Sequence, residues 1–312
     1  MHKLKLPVIA AIVFGSAVCG FAQQEQDKAG ARHVIGLENV KRNSAVRITV
    51  VDGGLQLQGG KTTIKLPMAS IEDIAIGTET TQAGGKAGTV AKTAAMAAPY
   101  DSGAALSILL RTNVDVLTVA SRDSGGGLHY AILALPKGQG EPQRAQLITA
   151  GAHVLPPSGQ ESKDEKTAAP EAPATIDSKL SASAIQIEPM GAGDVWIPAE
   201  FRAAMYEFLV MRVRQSGKFQ HVFRSGDREA AGVQDLVTLH TTVEKFKQGS
   251  QMKREITTVL GATKVGVDAS VTDRAGHVLV ARRVTGKVLF FGENLGVTND
   301  LAKHIANRLK QE

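Results

Sequence analysis

From Val46 onward, apolar and polar positions alternate with a period of two. Val46, Ile48 and Val50 are separated by Arg47 and Thr49, and Asp52-Gly53-Gly54 makes a turn into Leu55 and Leu57. This is the pattern of strands with one buried face. Gly59-Gly60 turns again into Thr62–Leu66, and Pro67, which has no N–H to donate, ends that strand. Ile71, Ile74 and Ile76 begin another element. After a Gly/Ala-rich stretch, Ala105–Leu110 and Val114–Ala120 predict a hairpin. Arg122–Gly127 reads as a turn and Leu128–Leu135 as the next strand. Glu141–Gly151 predicts the one helix of this half, with Ala145, Leu147, Ile148 and Ala152 on its apolar side. Residues 33–154 thus predict a mostly β domain of seven short strands closed by a helix.

The second half, 183–312, has a different rhythm. Ala184–Glu188 is a strand, and Pro198 opens a helix at its first turn. Phe201, Met205, Phe208, Leu209 and Arg212 recur every three or four residues, which gives one buried stripe with a polar margin. Ser216-Gly217 ends that helix. Strands follow at Phe219–Phe223, Leu236–Phe246, Lys264–Thr272 and His277–Phe291, the last entered through the turn Asp273–Gly276. On the last strand Val278, Val280, Val284, Val288 and Phe290 share a face with Gly286, which marks a bend or bulge. Arg282 interrupts that face, as a side chain reaching solvent at a sheet edge or as one half of a buried ion pair. Val297, Leu301, Ile305 and Leu309 predict the closing helix, capped by Thr298 or Asn299.

Between the halves, residues 155–182 are rich in Pro, Ala, Ser and charge and contain no aromatic residue. Such a segment buries too little apolar surface to offset its ordering entropy, so it predicts a disordered linker. The aromatics agree with two separate cores. Tyr100 and Tyr130 are the only ones from Gln23 to Pro156, whereas Trp196, Tyr206 and seven phenylalanines follow the linker. The predicted class is α+β: a β roll with a closing helix, then a mixed-sheet β-α-β-β-β-β-α domain.

The step DGGL, the run from Ile64 to Ile74 and the final hairpin ending LHYAILALPKG resemble the PH/GRAM-like roll over about residues 36–152. In such rolls the strands are scaffold and the loop tips bind, so the resemblance carries over no functional residue. The strand-helix start, SGKFQHVF and VGVDASVTDRAGHVLVARRVTGKV resemble a domain of bacterial envelope lipoproteins over about 184–310. In layout that domain is similar to the N-terminal domain of TolB and to the periplasmic domain of the curli secretion channel. The resemblance implies an assembly or interaction module without an active site.

The N-terminus adds an address. Lys3 and Lys5 precede the apolar run Pro7–Val18, and Gly20-Phe21-Ala22 offers small residues before Gln23, which is the order of a signal peptide (residues 1–22) cut between Ala22 and Gln23. The run is too short for a membrane span. Cys19, the only cysteine, follows Val18, where a lipoprotein site would need a small residue, so a periplasmic or secreted protein is expected over an outer-membrane lipoprotein. Cleavage would leave no thiol, hence no disulfide and no thiolate chemistry. The formal charge of +6 falls to +4 without Lys3 and Lys5 and is spread over both halves, which argues against nucleic acid as a partner.

No motif points to catalysis, a cofactor or a metal. Gly60-Lys61-Thr62 lacks the earlier glycine of a phosphate loop and sits between strands. The histidines from His33 to His304 show no ligand spacing. Ser124 has glycine on one side only, so it is no nucleophile elbow. Asp268 and Asp273 flank a strand end and turn, where Asp bonds its own backbone. The unusual stretch is 82–104, composed mostly of small residues, with Lys86, Lys92, Met96 and Tyr100 as its larger side chains. These four are the candidate contacts for a partner, because a long excursion from a compact domain invites a binding role. The expected function is a non-enzymatic envelope interaction or assembly protein with a protein partner and peripheral contact with a membrane surface. The alternative is a small-molecule or lipid-headgroup module using the mouth of the roll.

Overall fold

The computed structural model describes residues 30–82, 111–154, 180–191, 195–247, 263–288 and 295–312, and among these, twelve strands form two sheets accompanied by three α-helices. The first sheet contains β1 (Ala31–Ile35), β2 (Ala45–Val51), β3 (Gly54–Gly59), β4 (Thr62–Pro67), β5 (Ile71–Gln82), β6 (Arg111–Arg122) and β7 (Leu128–Pro136). Its order is β4-β3-β2-β1-β7-β6-β5, antiparallel throughout. Helix α1 (Gly140–Thr149) closes it. Asp115 fixes the start of α1 by accepting the N–H groups of Gly138 and Gly140 at 2.9 and 2.8 Å. The second sheet contains β8 (Ala184–Ile187), β9 (His221–Arg224), β10 (Leu236–Lys247), β11 (Thr263–Thr272) and β12 (Val278–Val288), in the order β12-β11-β10-β8-β9. It is mixed, because β8 lies parallel to both β9 and β10. Helices α2 (Ala199–Ser216) and α3 (Gly296–Gln311) pack on one of its faces. The class is α+β with two sheets.

Strand β1 is absent from the sequence reading, which starts the first domain at residue 33. The pentad Ala-Arg-His-Val-Ile does not alternate, because it is buried on both faces. Ala31 joins the core inside the roll, while Val34 and Ile35 join the core on the opposite side of the sheet. His33 is buried too. Its Nε2 accepts the Leu37 N–H at 3.0 Å and its Nδ1 faces the Lys41 carbonyl at 3.3 Å, which selects the neutral ring with the proton on Nδ1. Desolvation pushes its pKa below the ordinary 6.5.

The structure corrects several other expectations. Arg111–Asn113 are not a turn: they extend β6, which pairs with β5 out to Arg111↔Gln82, while Ala105–Leu110 lie outside the described residues. Linker residues Leu180–Ala182 belong to the fold, because Leu180 is buried and donates to the Glu312 carbonyl at 3.0 Å. Neither Thr298 nor Asn299 caps α3. The Thr298 hydroxyl donates back to Leu295 O, and Asn299 Oδ1 accepts Arg212 Nη2 at 2.7 Å, tying α3 to α2. Gly286 lies in regular register, and its missing Cβ lets Val297 and Leu301 approach the strand. Arg282 finds its carboxylate in Glu312, at 2.9 Å.

The largest departure concerns α2. A single stripe was expected, but Phe201, Ala203, Ala204, Met205, Tyr206, Glu207, Phe208, Leu209, Val210 and Val213 are all buried, nearly all round the helix. A helix buried on every side lies between layers. One face packs on the second sheet, the other on β1, β6 and β7, and a single apolar cluster runs from Val34, Val116 and Ile132 through α2 to Ile187, Leu239 and Val267. A second cluster fills the roll around Leu55, Leu57, Leu117, Leu133 and Leu147. The two sheets are distinct, but the core beneath the first is completed by the second half of the chain.

Strand β1 stops short of covering β7. At Gly36 (φ 98°) the backbone swings away, and a Cβ there would collide with the carbonyl oxygen of Tyr130. Gly36→Ala is expected to destabilise the protein by about 3 kcal/mol or more, since both the positive φ and the backbone contact oppose a side chain. A urea midpoint within error of the wild type would show that the β1–β7 crossing does not need glycine.

Candidate functional site at the start of the inter-sheet helix

Where β1 leaves β7, backbone groups of β7 lose their strand partner, and α2 and the end of β9 supply replacements. The N–H of Tyr130 donates to Glu207 Oε1 at 2.8 Å, and the carbonyl of Leu128 accepts Arg224 Nη1 at 2.9 Å. Glu207 and Arg224 hold each other in a two-pronged pair of 2.7 and 2.9 Å and are both buried. Tyr206 packs edge-on against Tyr130, with centroids 5.6 Å apart, and accepts the Ser225 N–H at 2.9 Å. At the first residue of β7, Leu128 N–H donates to Ser225 O, and in the turn before it the carbonyls of Ser124 and Gly125 accept from Arg228. Burial lowers the Arg224 pKa, but its carboxylate partner outweighs this and leaves the pKa raised, so the guanidinium keeps its charge. Its chemistry is structural.

The polar groups that could look catalytic are engaged in the same way. Asp123 accepts the N–H groups of Gly125 and Gly127 and meets His129 Nε2 at 2.8 Å. Asp273 accepts the His277 N–H and meets His277 Nδ1 at 2.9 Å. These are two Asp–His pairs closing two hairpin turns, and no serine hydroxyl bonds either ring among the described residues. Asp268 is held by Arg283 at 2.6 and 2.7 Å, away from Asp273. No group of three His, Cys, Asp or Glu side chains able to hold a metal occurs among the described residues.

The end of the molecule where α2 begins is different. Glu200, in the first turn of α2, is buried over Gly77 of β5, so close that a Cβ on Gly77 would overlap its carboxyl. Desolvation raises its pKa above the ordinary 4.5, and its own main-chain N–H is the group that favours the charged form. Next to it, Phe201 packs edge-on against Phe246 near the end of β10, 4.9 Å between centroids. The short segment entering α2 carries Trp196, the sole tryptophan, which is 73% exposed. The β5–β6 hairpin runs five residues past Gly77, about 17 Å. On the sheet face away from α2, β10 and β11 end in exposed lysines. Lys247 is the register partner of Lys264, which in turn lies opposite Lys287, and Lys245 occupies the next row inward.

The residues singled out in the sequence, Lys86, Lys92, Met96 and Tyr100, lie outside the described residues, between the paired ends Gln82 and Arg111. The cleavage site Ala22-Gln23 also lies outside them. The sequence reading missed Trp196, since Val195-Trp196-Ile197 looks like a core run. It also missed the lysine row, because only strand register brings positions 247, 264 and 287 together. No helix among the described residues is long and apolar enough to cross a membrane.

No protein-family model and no curated protein matches the chain. Among solved structures, the PelC dodecamer from Paraburkholderia phytofirmans is similar at 12% identity, covering 41% of this chain and 88% of that one, with a TM-score of 0.33. A neuraminyllactose-binding hemagglutinin homologue from Helicobacter pylori is similar at 13% identity, covering 46% and 88%, with a TM-score of 0.22. Likenesses at this level carry no argument about what the chain does.

Two predictions follow from the geometry. Glu207→Leu or Arg224→Met alone leaves one buried charge unpaired and is expected to cost about 3–5 kcal/mol. The double variant should cost less than the sum of the two, yet stay below wild type because Tyr130 N–H and Leu128 O then lack partners, at about 1–3 kcal/mol each. Additive losses in chemical denaturation would show that the pair is not coupled. Glu200 has a raised folded pKa, so its contribution is intact below the unfolded value near 4.5 and is lost as pH rises through the folded one. Glu200→Gln should therefore gain stability over wild type as pH climbs from about 4.5 to 7, and a pH-independent difference would contradict this.

Proposed function

We propose that this protein is a non-enzymatic interaction or assembly factor of the bacterial cell envelope, exported by its N-terminal segment. The observation that carries the reading is the contrast between its two kinds of polar and aromatic chemistry. Among the described residues, the pairs Asp123–His129, Asp273–His277 and Glu207–Arg224 hold two turns and the inter-sheet junction together. The largest exposed apolar side chain, Trp196, stands instead at the end where α2, the β5–β6 hairpin and the tips of β10 and β11 converge. A large, stiff aromatic that folding leaves uncovered is a frequent anchor of macromolecular contacts. The sequence at Lys3, Lys5, Pro7–Val18 and Ala22 supports the address.

A photo-crosslinking amino acid placed at position 196 in cells tests the reading, with position 51, an exposed valine of β2, as control. A discrete adduct at 196 and none at 51 is the expected outcome. Equal labelling at both positions, or none at either, would reject this end of the molecule as the contact surface.

A further inference from the structure

We infer that the lysine row at the tips of β10, β11 and β12 is a docking surface for an anionic phospholipid membrane. Lys247 and Lys264 occupy directly opposed positions on neighbouring strands, and Lys287 is the register position opposite Lys264 on the third. Like charges placed directly across a strand pair oppose sheet formation. Lys245 lies one row inward on the same face, opposite Gly266. Lys245, Lys247 and Lys264 are exposed, and among the described residues none of them has a carboxylate within ion-pair distance. One residue pair further along the sheet the chemistry reverses: Arg283 is neutralised by Asp268 at 2.6 Å and approached by Glu244 at 3.9 Å. Arg283 is thus paired, whereas Lys245, Lys247 and Lys264 have no carboxylate partner among the described residues.

Two observations favour a membrane as the anionic partner. Adjacent strands lie about 4.8 Å apart, so the row presents its charges along a flat front and not around a pocket. The exposed indole of Trp196 lies in the segment entering α2, whose first turn packs Phe201 on Phe246 near the end of β10, and indoles settle at the boundary between lipid headgroups and acyl chains. The inference goes beyond the protein contact proposed above, sharing with it the exported location and the exposed Trp196. It holds or fails separately from the crosslinking result.

Vesicle sedimentation with the chain from Gln23 onward, which includes every described residue, provides the test. Binding to phosphatidylcholine vesicles containing phosphatidylglycerol, and its absence on phosphatidylcholine alone, is expected. The triple variant Lys245→Gln, Lys247→Gln, Lys264→Gln should weaken that binding about 100-fold, near the cumulative effect of three surface lysines. A matched triple in the first sheet, Lys41→Gln, Lys61→Gln, Lys65→Gln, removes the same net charge and should leave binding nearly intact. Equal losses in both triples, equal binding to uncharged vesicles, or an unaffected lysine-row variant would overturn the proposal. The single variant Lys264→Gln, at the centre of the row, gives a second reading if the triple folds poorly. It should melt at the same or a higher temperature than wild type and still bind anionic vesicles more weakly, and undiminished binding would again overturn the proposal.

Discussion

A strand that ends too early governs this structure. Strand β1 pairs with β7 only as far as Ile35, and Gly36 then carries the chain away under the Tyr130 carbonyl. The exposed stretch of β7 lies in the middle of an apolar layer, where an unpaired N–H or C=O is costly. Glu207 and Arg224 resolve this together. One carboxylate oxygen takes the stranded N–H, one guanidinium nitrogen serves the stranded carbonyl, and each neutralises the charge the other brings into the interior. Neither residue could be buried there alone, and neither backbone group could be buried without them.

That junction explains why α2 is buried on nearly all sides. Its position is set by polar bonds to β7 at Glu207, by the aromatic contact of Tyr206 with Tyr130, and at its first turn by Glu200 over Gly77. Burying its large apolar side chains contributes about 1.5–3 kcal/mol each, and the two sheets share that contribution. The first sheet therefore exposes its Val34–Val116–Ile132 face unless the second half of the chain is present. The two sheets have a helix in common and are tied further by Leu128 N–H to Ser225 O and by Arg224 to Leu128 O.

The same logic separates interior from exterior chemistry. Arg224 with Glu207 joins β9 to α2, and Arg282 with Glu312 joins β12 to the end of α3, while Arg283 and Asp268 pair across β11 and β12 on the outer face. The tips of β10 and β11 contain lysines without such tasks, next to an uncovered tryptophan. Folding does not require side chains of this kind in those places, so their explanation is sought in what the surface meets.

Much of the fold is legible in the residues themselves. Alternation of Val46–Val50 and Leu128–Leu135, the turns at Asp52–Gly54 and Asp273–Gly276, Pro67 at a strand end and the four-residue spacing of Val297–Leu309 each act over a few neighbours, so local chemistry suffices to read them. The order of elements in the second half is legible for the same reason. What the sequence could not reveal depends on partners distant along the chain. Strand β1 is hidden because burial on both faces erases alternation. The second face of α2 is hidden because Glu207 reads as polar until Arg224, Tyr130 N–H and Leu128 O are brought to it. The lysine row is hidden because positions 247, 264 and 287 become neighbours only through register. Local sequence determined which segments are strands and helices, whereas tertiary structure decided which charges are paired in the core and which are left facing outward.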